Sequence, residues 1–170
     1  MKKHQAIYSK IKELLKNHFG SDLKEYEDGD HLTIGETGVW ISCDDRELTV
    51  GYGLVHQHFD PEYDDILNAI DRFFNLLTKR KRITKYYKGS FSYKNKTELI
   101  LSDSEFENLG TAMTWLFPYW KKTKKEIKYE ENLVDLSTIE KDVKEIKNYA
   151  QQAICKPFPA SSKTIVPRIR

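Results

Sequence analysis

The stretch ELTVGYGLVHQHFDPEYDDILNAIDRFFNLL, residues 47–77, constrains the fold more than any other part of the chain, because strand and helix periodicities follow one another within it. Leu48, Val50, Tyr52 and Leu54 alternate with Thr49, Gly51 and Gly53, the period-two pattern of a strand with one buried face. Asp60 is expected to cap the following helix, with Pro61 at its first position and Glu62, Asp64 and Asp65 complementing its positive end. Ile66, Leu67, Ile70, Phe73, Phe74 and Leu77 then form a wide apolar stripe, which predicts a helix lying on the sheet.

The flanking segments repeat these two patterns. Ile7, Ile11, Leu14 and Leu15 predict a first helix over 3–18, ended by Gly20. Asp28-Gly29 marks a hairpin between strands at 23–27 and 31–35, and a turn at 36–38 leads into a strand in which Val39, Ile41 and Cys43 alternate with Trp40 and Ser42. Residues 79–101 read as basic and aromatic strands broken near Lys88-Gly89 and at 94–96, and residues 102–116 as a loop or short helix. The aromatic run at 115–120 precedes KKTKKEIKYEE, which reads as one more strand or an exposed extension. Ser137 and Glu140 form a capping box ahead of Ile139, Val143, Ile146 and Ala150, which predicts a last helix. The expected fold is α+β: an antiparallel meander packed against two amphipathic helices, with an additional C-terminal helix. A single domain is expected over 1–155, followed by an extended, proline-containing arm over 156–170.

Charge is where composition matters. The net charge is only +2, yet residues 1–75 hold 8 Lys/Arg against 15 Asp/Glu, and the remainder 20 against 11. Asp28, Asp30, Asp44, Asp45, Glu47, Asp64 and Asp65 are therefore candidates for an acidic rim along one edge of the meander, suited to steering a basic protein partner. The complementary stretch, 79–128, interleaves 13 Lys/Arg with aromatic residues against 5 Asp/Glu, a mixture that suits a nucleic-acid groove. No RNP, helix-turn-helix or zinc-finger signature accompanies it, and lysine on exposed strand faces has an ordinary role in solubility, so nucleic acid is not the expected partner.

His56-Gln57-His58 places two imidazoles on one side of a strand, with Asp60 behind them, and resembles part of a metal site. No HExxH or CxxC completes the set, and His4, His18 and His31 stand alone, so a metal-dependent enzyme built on His56, His58 and Asp60 is the alternative to a structural corner. No phosphate loop or nucleophile elbow occurs. No catalytic residue and no cofactor is expected on these grounds. Gly51 and Gly53 leave one strand face bare, most simply for a helix, and Trp40, Trp115 and Trp120 read as core anchors. No run reaches the roughly 20 apolar residues of a membrane span. A cytoplasmic protein with no membrane partner is expected, its Cys43 and Cys155 both reduced.

The succession of an N-terminal helix, GVWIS, LTVGYGLVHQHFD entering an amphipathic helix, a basic hairpin and LFPYWKK is similar to small α+β immunity proteins encoded beside bacterial polymorphic toxins. The resemblance covers about residues 5–130 and rests on the GYG and HxHFD wording. It implies a protein that binds and neutralises a cognate toxin. Families of this kind supply no catalytic residues to carry over, and the last helix and the arm lie outside the match.

Overall fold

The computed structural model describes residues 2–62 and 66–155. Its order is α1 (Lys3–Phe19), β1 (Leu23–Tyr26), β2 (His31–Ile34), β3 (Val39–Cys43), β4 (Leu48–Tyr52), β5 (Val55–Phe59), α2 (Ile66–Thr78), β6 (Lys81–Lys88), β7 (Phe91–Ile100), β8 (Phe106–Met113), β9 (Thr123–Glu130) and α3 (Leu136–Cys155). The chain is α+β, with two antiparallel sheets rather than the one expected.

Strands β1 to β5 form a meander in chain order. Its inner face is built from in-register apolar residues: Leu32 pairs with Ile41, Ile41 with Val50, and Leu48 with Phe59, all buried. Helices α1 and α2 cover that face, and α3 lies across both helices. In α3, among the described residues, Ile139, Val143, Ile146 and Ala150 are buried, at the spacing of one helical stripe. Helix α1 stops at Gly20, whose φ of +51° suits a residue without Cβ.

The second sheet has the order β8-β7-β6-β9. It meets the far end of β4 and β5. The Tyr52 hydroxyl donates to the Glu130 carboxylate, the buried Lys81 ammonium lies 5.5 Å from the Tyr52 ring centroid, and Val55 occupies the space a side chain at Gly110 would need. Arg72 of α2 donates to the Leu109 carbonyl at 3.2 Å, and Leu99 and Leu109 join the same buried cluster as the helices.

Four expectations change. The strand expected through Leu54 ends at Tyr52: Gly53, with φ of +57°, donates its N–H to the Gly38 carbonyl, the chain reverses, and Leu54 is 89% exposed. HQHF thereby becomes a separate edge strand, β5. At the entry to α2 the Asp60 carboxylate accepts the Glu62 N–H, the bond a capping residue makes, and residues 63–65 lie outside the described residues. Residues 94–96 do not break β7, because β6 and β8 hydrogen-bond to it on both sides. The segment expected to be a loop or short helix contains β8, entered by a turn in which the Ser102 hydroxyl accepts from the Glu105 N–H. Finally, α3 begins at Leu136, so Ser137 is inside the helix and Glu140 pairs with Lys144 at 2.7 Å instead of closing a capping box.

Candidate functional site

A meander alternates its turns between two ends. The β1–β2 and β3–β4 turns and the exit of β5 therefore share one end, and Asp28, Asp30, Asp44, Asp45 and Glu47 stand there. The β1–β2 turn carries Asp28 and Asp30, with positive φ at Glu27, Asp28 and Gly29 in succession. Its position is fixed from both sides. Cys43 donates its backbone N–H to the Asp30 carbonyl at 2.9 Å, and the Tyr8 hydroxyl of α1 donates to the Gly29 carbonyl at 2.8 Å. In the neighbouring turn the Asp44 carboxylate accepts the N–H groups of Arg46 and Glu47, at 2.7 and 2.8 Å. Asp28, Asp30, Asp44 and Asp45 thus border one open depression of about 460 Å³, together with Tyr8, Lys12 and Cys43. Asp64 and Asp65 lie outside the described residues.

The titration behaviour of the groups around this depression follows burial and hydrogen bonding first and charge second. Burial, and then the negative charges of Asp30, Asp44 and Asp45, push the Cys43 thiol up to about 12. Burial, Cys43, Asp30 and Glu25 likewise raise the Tyr8 phenol. Hydrogen bonds from the Arg46 and Glu47 N–H groups hold the Asp44 carboxyl below the usual range, and those from Lys12 and Lys16 do the same for Glu25. These effects keep the Asp44 and Glu25 carboxyls ionised and the Cys43 thiol and Tyr8 phenol protonated. The raised Cys43 pKa leaves little thiolate at neutral pH.

Glu47 belongs to a different face. His56 and His58 do share one side of β5, with ring centroids 4.9 Å apart, as the spacing of two predicts. His58 Nδ1 lies 2.5 Å from a Glu47 carboxylate oxygen and 3.2 Å from the Thr49 hydroxyl, while His56 tilts against Trp40. The row continues through His31, stacked on Trp40 at 5.2 Å, to Tyr26. Asp60 is not part of it: its carboxylate is turned toward the Glu62 N–H at 2.8 Å. Among the described residues, no three His, Cys, Asp or Glu side chains stand together in a way that could hold a metal ion. The bare face of Gly51 receives no helix. The Trp40 indole lies over it, so close that a Cβ at Gly51 would fall 2.1 Å from a ring carbon.

The basic stretch forms the opposite pole. The loop from β8 to β9 crosses the open end of the second sheet over the β6–β7 hairpin, held by Thr114 N–H to the Tyr93 carbonyl, Gly89 N–H to the Lys122 carbonyl, and Phe117 against Tyr93 with centroids 4.4 Å apart. Trp115 and Trp120 are 82% and 73% exposed and not the core anchors expected, because the loop's inward position is already filled by Phe117. Sequence reasoning missed this exposure. The signal was present in WLFPYWKK, an aromatic run whose basic flank contains no acid.

Comparison with known protein families, curated proteins and solved structures finds no match to this chain. Among the described residues no helix is long and apolar enough to cross a membrane.

Proposed function

We propose that this protein is a non-enzymatic binding module, an immunity protein that neutralises a cognate bacterial toxin by direct contact through the acidic end of its five-stranded sheet. The observation that carries the reading is the Cys43 to Asp30 backbone bond, which locks the two acidic turns side by side and presents Asp28, Asp30, Asp44 and Asp45 around one depression. Fixed acids of one sign raise the rate of encounter with a basic surface and disfavour acidic competitors, with close packing of a few side chains then setting the lifetime of the complex. The resemblance of GVWIS and LTVGYGLVHQHFD to immunity proteins supplies the class of partner.

The test is co-expression with the toxin encoded by the neighbouring gene, followed by purification and a growth assay. A stable complex and restored growth are expected; neither one appearing removes the reading. Substituting Asp28, Asp30 and Asp45 with Asn, while keeping the turn-forming Asp44, is expected to slow association about tenfold at low salt with a smaller effect on dissociation.

A further inference from the structure

The far end of the second sheet combines three features that toxin binding through the acidic end does not use. Residues 83–97 and 108–125, which make up that end, carry eight lysines and no Asp or Glu; two of the eight, Lys96 and Lys124, pair with Glu98 and Glu126 just beyond these stretches, and six remain. From the same end project Trp115, Leu116, Tyr119 and Trp120, each between 65% and 82% exposed, with Met113 beside them at 64%. The projection is supported from beneath, since Phe117 packs on Tyr93 and Lys88 Nζ donates to the Tyr119 carbonyl at 3.4 Å.

We propose that this end docks on the surface of an anionic lipid bilayer, with Trp115, Leu116, Tyr119 and Trp120 entering the headgroup region and the surrounding lysines meeting the lipid phosphates. Tryptophan and tyrosine partition to the boundary between headgroup and acyl chain, where one part of the ring is apolar and its N–H or O–H stays wet. Lysines on a projecting end reach an anionic surface together, each adding to the attraction within a Debye length. A single-stranded nucleic acid would use the same charges but needs ring faces on which successive bases can lie in layers. The Tyr119 and Trp120 rings stand at 84° to each other, and the aliphatic Leu116 and Met113 have no part in stacking. The loop also crosses the tip of the sheet and so projects, where a nucleic-acid strand is held by a groove. Lipid is therefore the better fit. Such docking lies in the interface and needs no spanning segment.

Flotation of the full chain with vesicles tests this, using phosphatidylcholine alone and phosphatidylcholine with about 30% phosphatidylglycerol. Binding is expected on the anionic vesicles, weakly or not at all on the neutral ones, and is expected to fall as salt rises. Replacing Trp115, Leu116 and Trp120 together with Ala is expected to reduce it about tenfold or more, as is Lys121→Gln with Lys122→Gln. Because these side chains are exposed, the melting temperature of both variants should match that of the parent protein. Quenching of tryptophan fluorescence by brominated lipid is expected in the parent and not in the triple variant. Absence of binding to anionic vesicles, or binding that the triple variant retains, overturns the proposal. So does tighter, variant-sensitive binding of a single-stranded oligothymidylate than of vesicles, which would assign the tip to nucleic acid.

Discussion

Gly51 and Trp40 show how one residue's absence of a side chain places another. They pair directly across β3 and β4, and the indole fills the space above the glycine while its Nε1 donates to the Gly53 carbonyl at 3.0 Å. Gly51→Ala is expected to cost about 1–3 kcal/mol in urea unfolding, and much less in a Trp40→Ala background, because the cost is a clash with one identified ring. Glu98 is the other informative position, a buried carboxylate that Arg82 approaches at 2.9 Å and Lys96 at 2.6 Å. Burial pushes its pKa upward, but the hydrogen bonds and charges of Lys96 and Arg82 outweigh this and hold it below the ordinary value. A depressed folded-state pKa means stabilisation that is complete above the unfolded carboxyl's value of about 4.3 and is lost as pH falls through the lower folded value. Glu98→Gln is thus expected to cost about 3 kcal/mol at neutral pH. Its stability difference from the parent should shrink in acid below about pH 4. A difference constant with pH would show that the ion pairs are not its cause.

At the scale of elements, the helices were the most legible. Each carries an apolar stripe several turns long, and burial follows that stripe in α1, α2 and α3 alike. For α3, Ile139→Ala is expected to cost about 2–5 kcal/mol in denaturant unfolding. Glu140→Ala on its exposed side, despite the Lys144 pair, is expected to leave the unfolding midpoint nearly unchanged. Strands were legible where one face is buried, as in β3, and not where neither face is. In β8 most residues are exposed, and the element exists because β7 offers it an edge to pair with. The same limit explains HQHF: alternation seemed to continue through Leu54, yet the decisive event was a backbone reversal at Gly53, which a residue pattern of period two does not register. The HxH spacing did place both imidazoles on one face, but Glu47, and not Asp60, is the carboxylate at His58.

The whole molecule is polarised. Acidic turns occupy one end of the first sheet, the second sheet joins the other end, and the lysine-rich aromatic tip lies beyond that joint. The joint depends on few groups. Burial alone would push the Glu130 carboxyl upward, yet bonds from Tyr52 and Lys128, with the charges of Lys128 and Lys81, hold it low, and burial pulls the Lys81 ammonium down. Tyr52→Phe removes one charge-assisted bond and is expected to weaken the joint by about 2 kcal/mol. Hydrogen exchange should then quicken about thirtyfold in β9 with little change in β3; equal acceleration in both would mean the sheets open only together. The sequence by itself determined the α+β class, the faces of all three helices, the in–out alternation of β2 and β3, and the uneven distribution of charge. These follow from periodicity and composition, which are local. Only the tertiary structure decided that there are two sheets, that separate acidic turns meet at one end, and that Trp115 and Trp120 face outward. Each of those depends on which strand edges find one another and which space is already filled, and pairing between distant segments leaves no periodic trace in either of them.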